Sequence, residues 1–138
     1  MHDIGAKFGF MQTNNLGRYL GMPLVHDCLL RNTFASMLKR VRNKLSGSKA
    51  DQLSLAERVT FTQSVIQSIP MYTMQTMKLS VSTCDEIDLL VRNFIWGSSD
   101  AKKKLHLVNW NKIYHQKNYG GLGLKYARST NEALLMKF

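Results

Sequence analysis

Apolar residues recur with the 3.6-residue period of an α-helix in several segments of this chain, and helix start or stop signals bound those segments. The first segment covers about residues 29–45, where the apolar side chains fall within an arc of about 100°. In the second segment, Ser54 and Glu57 form a capping box and Pro70 is expected to end the helix. The apolar positions of the first segment are Leu30, Phe34, Met37, Leu38, Val41 and Leu45.

A third periodic segment has Thr83 as its predicted N-cap, Glu86 at the capping-box position and Gly97 as its stop signal. Its predicted buried face comprises Cys84, Ile87, Leu90, Val91, Phe94 and Ile95. Leu89 and Trp96 lie seven residues apart on the opposite face and would form an exposed protein-docking patch. Isolated apolar side chains are also normal on protein surfaces, so both interpretations stay open.

The two ends of the chain are less regular. Residues 19–22 suit a short strand closed by Pro23, residues 105–110 are a candidate extended stretch, and the glycines at 120–123 indicate a turn that leads into a short strand. Ser129 and Glu132 predict the start of a last helix, which we expect to be cut short. The predicted fold is mainly α: three to five amphipathic helices with a few short strands. The predicted units are 1–24 (connection and short strand), 25–97 (helical domain) and 98–138 (basic loop, Gly-rich turn and C-terminal helix).

Charge is the strongest indication of a partner. Nineteen Lys and Arg against nine Asp and Glu give the 138-residue chain a net charge of +10, which favours a polyanion such as nucleic acid. No apolar run reaches the roughly 18 residues of a membrane span, so no membrane partner is expected. Two cysteines cannot build a disulfide framework, which favours a reducing intracellular location, with the nucleus among the options.

Catalytic motifs are not evident in this sequence. The four histidines are scattered, and neither a phosphate-binding glycine loop nor a paired-cysteine motif occurs, so we expect no metal and no cofactor. Asp85 and Asp88 are interpreted as solvated acids near a helix N-terminus. Arg58 falls on the apolar side of its helix and must therefore be paired, reach solvent or face a ligand. The candidate nucleic-acid contacts are Arg31, Lys39, Arg42, Arg58, Lys102, Lys103, Lys104 and Lys117.

Seven short blocks resemble, in order and spacing, the region that follows the polymerase palm in reverse transcriptases of plant non-LTR (LINE-type) retrotransposons. They are 19–24 (YLGMPL), 53–58 (LSLAER), 68–72 (SIPMY), 92–97 (RNFIWG), 108–110 (VNW), 117–123 (KNYGGLG) and 131–135 (NEALL). Four positions depart from the family pattern: Ser48, Glu57, Ser80 and Gln116. We interpret these departures as signs of a drifting copy of an element.

The resemblance implies a thumb and connector, which grip the template–primer duplex while the palm carries out the chemistry. It implies RNA, DNA or an RNA–DNA hybrid as partner, held through the phosphate backbone, together with other parts of a reverse transcriptase. The palm aspartates lie upstream in family members, so the chain is expected to be no enzyme on its own. Two alternatives remain: a protein-interaction module that docks through Leu89 and Trp96, and an open reading frame with no selected function.

Overall fold

Helices make up most of the computed structural model, which describes residues 9, 18–19, 22–23, 34–97, 104–105 and 107–137. The helices are α1 (Ala35–Gly47), α2 (Leu55–Phe61), α3 (Ser68–Thr76), α4 (Val81–Trp96), α5 (Trp110–Ile113) and α6 (Ala127–Met136). Two single 3₁₀ turns, Ala50–Gln52 and Lys117–Tyr119, join them. This confirms the mainly α prediction. Within the described ranges, no helix combines the length and apolarity that crossing a membrane requires.

The prediction of one short strand at 19–22 is wrong, because the described residues there belong to two strands. Strand β1 (Arg18–Tyr19) pairs antiparallel with β2 (Met22–Pro23), with Arg18 opposite Pro23 and Tyr19 opposite Met22. The described residues of this segment therefore form two short paired strands and not one continuous strand. No further strand occurs in the described residues, so the strand predicted after the glycines is wrong. Of the predicted extended stretch at 105–110, residue 106 lies outside the described residues and Trp110 begins α5.

The predicted capping box at the start of α2 is confirmed. The Ser54 hydroxyl accepts from the Glu57 backbone N–H at 3.4 Å, and Glu57 Oε2 accepts from the Ser54 N–H at 2.7 Å. Hydrogen bonds from the Ser54 backbone N–H and from the Ser54 hydroxyl lower the pKa of the Glu57 carboxyl. The box satisfies two backbone donors that would otherwise lack partners in the first turn.

The prediction that Pro70 ends this helix is wrong. A π-helical segment, Thr62–Ile66, follows α2 directly, and Pro70 is the third residue of α3. In the first turn of a helix the backbone N–H has no intrahelical acceptor, so a proline there loses no hydrogen bond. The wider π turn changes the helical register just before Pro70. The 3.6-residue periodicity of the sequence did not indicate this change.

Helix α4 begins earlier than predicted. Its N-cap is Ser80, whose hydroxyl accepts from the Thr83 N–H, so Thr83 lies inside the helix and is buried. The stop at Gly97 is confirmed, since this glycine has a left-handed φ of 63°. The predicted apolar face is also confirmed: five of its residues are buried and Leu90 is half-buried.

Helix α6 likewise begins before its predicted capping box. Tyr126 is its N-cap and Ser129 lies inside the helix, so the Ser129–Glu132 box is wrong. The first backbone donor of α6, the Ala127 N–H, instead bonds to the Asp88 carboxylate of α4 at 3.1 Å. A carboxylate from another helix thus caps α6, which a local pattern cannot reveal.

Two groups of buried side chains form the core. The first cluster comprises Phe34, Met37, Leu38, Met74, Leu79, Cys84, Ile87 and Ala127, and joins α1, α3, α4 and α6. The second cluster comprises Val41, Val59, Ile66, Val91, Ile95, Trp110, Ile113 and Leu124. The buried positions that we predicted for α1 are confirmed, with Leu45 half-buried; Leu30 lies outside the described residues. Met37 and Met74 fill the core, as expected for a flexible apolar side chain.

One buried polar side chain ties the first cluster to the chain around it. Asn131 of α6 is 2% exposed. Its Oδ1 accepts from the Leu79 N–H at 2.9 Å, and its Nδ2 donates to the carbonyls of Met74 and Met77, both at 2.9 Å. Asn131 therefore satisfies the backbone of the α3–α4 connection, where no helical partner is available.

Candidate nucleic-acid interface

The cations of α1 lie on two sides of the helix, and the two sides have different neighbours. Met37, Leu38 and Val41 hold the buried face. On one side Lys39 is exposed and Arg42 forms an ion pair with Glu86 of α4. Because this pair joins two helices, part of that side serves to hold α1 against α4.

The other side of α1 faces an open groove of about 530 Å³. Arg40 and Lys44, both exposed and one helical turn apart, line one wall. Phe61 from the end of α2 and Ile69 from α3 line the other wall, and Ser48 lies at the end of α1. The groove therefore combines two cations with an aromatic and an aliphatic side chain, and no carboxylate is among its described lining residues.

Phe61 is held in place at this groove. Its ring lies 5.6 Å from that of Phe94, centroid to centroid, at an interplanar angle of 46°. Phe94 is buried in α4, so the contact fixes a half-buried aromatic ring next to exposed cations.

Lys117 lies in the 3₁₀ turn Lys117–Tyr119 and is exposed. A Cβ atom added at Gly123 would lie 3.7 Å from Lys117 Cγ and 3.9 Å from Gln63 Nε2, so the lysine stem runs close to the π segment. Gln63 Nε2 donates to the Leu122 carbonyl at 2.7 Å and Gln67 Nε2 donates to that of Lys125 at 3.3 Å. These bonds fasten the 122–125 segment, and with it the Lys117 turn, to the π segment.

Arg58 is in a different position from the exposed cations. It is 9% exposed, and its Nη1 donates to the Ile95 carbonyl at 3.2 Å. A Cβ atom at Gly97 would lie 2.4 Å from the same nitrogen. The guanidinium therefore caps the C-terminal carbonyls of α4, where a positive charge is favoured. Of the three options that the sequence allowed, pairing is the one observed.

The predicted docking pair is not a continuous exposed patch. Leu89 is 50% exposed. Trp96 is half-buried, packs against the second cluster and lies 6.5 Å from the Trp110 ring, centroid to centroid. Above the Trp110 ring lies the Arg92 guanidinium, 5.4 Å from its centroid. Trp96 is thus part of an aromatic rim around the core, and only Leu89 extends well into solvent.

The prediction that Asp88 is a solvated acid is wrong, because its side chain is half-buried. Burial raises its pKa to about 6, although the hydrogen bonds from the Ala127 N–H and the Tyr114 hydroxyl, together with Arg92, act to lower it. Nearby Asp85, which is exposed, raises it further. The carboxyl group therefore links α4 to α6 and to Tyr114. Within the described ranges no group of three or more His, Cys, Asp or Glu side chains could hold a metal ion.

Of the remaining predicted contacts, Lys104 is among the described residues and is exposed. Arg31, Lys102 and Lys103 lie outside the described residues. Arg40, Lys44 and Phe61 were not among the contacts predicted from the sequence. Phe61 comes to face the two cations only through the packing of α1 against the π segment and α3, which a helical wheel cannot show.

The described part of the chain is thus a basic, mainly helical protein with an aromatic groove. Sequence comparison adds two plant relatives. The chain is 41% identical over 116 residues to the Arabidopsis thaliana protein named "Putative ribonuclease H protein At1g65750", an alignment that covers 84% of this chain and 19% of the relative. It is 34% identical over 71 residues to "Uncharacterized mitochondrial protein AtMg00310" of the same plant, covering 51% of this chain and 46% of that protein.

The chain therefore spans less than half the length of each of these two relatives. No model of a protein family matches the sequence. No solved structure matches it either. The comparisons place the chain beside plant proteins, one of which is named for ribonuclease H.

Proposed function

We propose that this chain derives from a plant retroelement and corresponds to the thumb and connector of a LINE-type RNA-directed DNA polymerase. Its function in that setting is to bind the phosphate backbone of RNA, DNA or an RNA–DNA hybrid. Ribonuclease H chemistry acts on RNA–DNA hybrids, so the name of the first relative fits a nucleic-acid partner. Catalysis is assigned to other parts of the polymerase.

The observation that carries the proposal is the set of exposed cations on a rigid helical surface. Lys39 is exposed on α1, whose buried face is fixed in the core by Met37, Leu38 and Val41. Lys117 adds a charge on a turn that precedes Leu122, whose carbonyl accepts a hydrogen bond from Gln63 of the π segment. Because the backbone that carries these cations is held in place, only their side chains lose conformational freedom on binding, and each phosphate contact adds affinity through counterion release.

Fluorescence anisotropy with a labelled blunt RNA–DNA hybrid tests the proposal. We expect saturable binding that weakens steeply with salt, because each neutralised phosphate contributes a slope of about −0.9 in log K against log[salt] on a B-form duplex. Sequence preference should be slight, since backbone contacts carry no base information. Binding that is insensitive to salt, or absent in a chain with a helical circular dichroism spectrum, would contradict the proposal.

Charge reversals locate the surface. Lys39→Glu and Lys117→Glu should each weaken hybrid binding and reduce the salt slope by about one. Lys78→Glu makes the same change in net charge from the connection between α3 and α4, and is the matched control. Equal losses in all three variants would indicate attraction by net charge alone and would remove the assignment to α1 and the Lys117 turn.

A further inference from the structure

The groove between α1 and the α2–α3 run has chemistry that a duplex backbone does not use. A phosphate backbone needs only cations, whereas this groove presents Phe61 and Ile69 opposite Arg40 and Lys44. Its volume of about 530 Å³ lies within the range of sites that hold small organic molecules, roughly 300–1,000 Å³. The shape and the lining therefore match a ligand that has both an anionic and a flat apolar part.

The cationic wall fits a phosphate. Arg40 and Lys44 are four residues apart on one helix, which places their Cβ atoms about 6 Å from each other. The planar fork of an arginine binds phosphate oxygens in pairs, and a neighbouring lysine adds a mobile point charge. With no carboxylate among the described lining residues, the charge of the groove is complementary to an anion.

The opposite wall fits a nucleobase. Phe61 is half-buried and its ring contacts Phe94, so little side-chain freedom remains to be lost when a base stacks on it. Bases inside a duplex are already stacked on one another and cannot enter such a groove, whereas unpaired bases stack readily on aromatic side chains.

We infer that this groove binds one unpaired nucleotide, with its phosphate on Arg40 and Lys44 and its base against Phe61. The inference rests on the proposed function and sharpens it. The chain would bind a hybrid duplex through its exposed cations and hold the first single-stranded nucleotide next to that duplex in the groove. The preferred ligand is then a junction between duplex and single strand.

The test compares two RNA–DNA hybrids of equal duplex length, one blunt and one with a short single-stranded overhang. The first unpaired nucleotide of the overhang carries 2-aminopurine, whose fluorescence falls when it stacks. We expect the wild-type chain to bind the overhang hybrid about tenfold more tightly than the blunt one and to quench the probe. Equal affinities for the two hybrids, with the probe unquenched, would overturn the inference and leave the proposed function standing.

Three variants test the two walls of the groove, and a fourth controls for the loss of positive charge elsewhere. Phe61→Leu keeps an apolar side chain against Phe94 but should reduce the affinity ratio of the two hybrids to about one and abolish quenching. Ser48→Trp should block the groove and have the same effect. Arg40→Gln with Lys44→Gln, both exposed and safe for folding, should lower the ratio as well. The matched control, Lys78→Gln with Lys137→Gln, removes two exposed charges elsewhere and should preserve the ratio.

The outcomes distinguish the two claims. A preserved affinity ratio in both Phe61→Leu and the Arg40–Lys44 double variant would overturn the nucleotide site. Failure of the wild-type chain to bind either hybrid would overturn the proposed function itself. Quenching without any dependence on Arg40 and Lys44 would show that the base enters but that the assigned phosphate position is wrong.

Discussion

The two core clusters differ in how their polar groups are satisfied. In the first cluster, Asn131 makes three hydrogen bonds to backbone groups and is almost completely enclosed. In the second, Thr62 is fully buried, yet its Oγ1 has no hydrogen-bond partner within the described ranges. Arg58 and Arg92 lie at the edge of that cluster with the tryptophans and Phe61.

This difference predicts that substitutions in the two clusters will affect stability differently. A fully satisfied buried polar group fixes one arrangement of its surroundings, whereas an incompletely satisfied one lowers stability. The second cluster also carries the π segment and the wall of the groove, features that are common near functional sites. We therefore expect substitutions to cost most in the first cluster and to include stabilising changes in the second.

The largest effect is expected for Asn131→Ala. The change leaves the Leu79 N–H and two carbonyls without their partner inside the protein, at a cost of about 3 kcal/mol in unfolding free energy. Urea denaturation monitored by circular dichroism measures it. Ser129→Ala, at an exposed position of the same helix, should cost at most a few tenths of a kcal/mol. A similarly small loss at Asn131 would contradict the contrast between the clusters.

Gly97→Ala tests the Arg58 cap at the second cluster. Gly97 has a left-handed φ of 63°, and the added methyl group would lie within 2.4 Å of Arg58 Nη1. We expect a loss of about 2 kcal/mol from backbone strain and displacement of the guanidinium. In thermal denaturation, Gly47→Ala is the control, because a Cβ atom there meets open space within a helix and should be neutral or slightly stabilising. Equal melting temperatures for both variants would argue against the cap.

The sequence predicted the local features of this fold well. The apolar stripe of α1, the buried face of α4, the Ser54–Glu57 box and the stop at Gly97 all depend on residues within a few positions of one another. Hydrophobic period and capping chemistry act over that distance, so one sequence contains the signal.

The features that sequence analysis missed depend on contacts between distant segments. The Asp88 carboxylate caps α6 across 39 residues, and Asn131 reaches Leu79 across 52. Arg40 and Lys44 become candidates only because Phe61 packs opposite them. These long-range contacts produce no periodic pattern in the sequence. The π segment also shifts the helical register, which the 3.6-residue periodicity does not indicate.

A pH-dependent contribution to stability is expected at Asp88, which joins α4 to α6. Burial raises its pKa to about 6 in the folded protein, above the ordinary value of 3.8, so the folded state binds the proton more tightly. Its contribution to stability is full below pH 4 and is lost as the pH rises through 6, by about 1–2 kcal/mol after allowance for partial exposure.

Asp88→Asn isolates this contribution. The asparagine oxygen can still accept from the Ala127 N–H, but it does not ionise. The stability difference between the variant and the wild type, measured by urea denaturation from pH 4 to 7, should shift in favour of the variant as pH rises. Asp51→Asn, at an exposed position of the 3₁₀ turn Ala50–Gln52, removes one carboxylate elsewhere and is the control for the change in net charge. A constant difference across the range would show that Asp88 ionises normally.

The smallest predicted effect is a gain in stability. Thr62→Val replaces a fully buried hydroxyl, which has no partner in the described ranges, by a methyl group of nearly equal size. We expect an increase of about 1 kcal/mol in unfolding free energy, since the hydroxyl no longer has to be desolvated without compensation. Thr60→Val, two residues earlier in the chain, is the matched control. The Thr60 hydroxyl is exposed and donates to the Ala56 carbonyl at 2.9 Å, so the free energy of unfolding should change by only a few tenths of a kcal/mol. A loss of stability in Thr62→Val would mean that the hydroxyl is satisfied in solution, and the second cluster would then be as complete as the first.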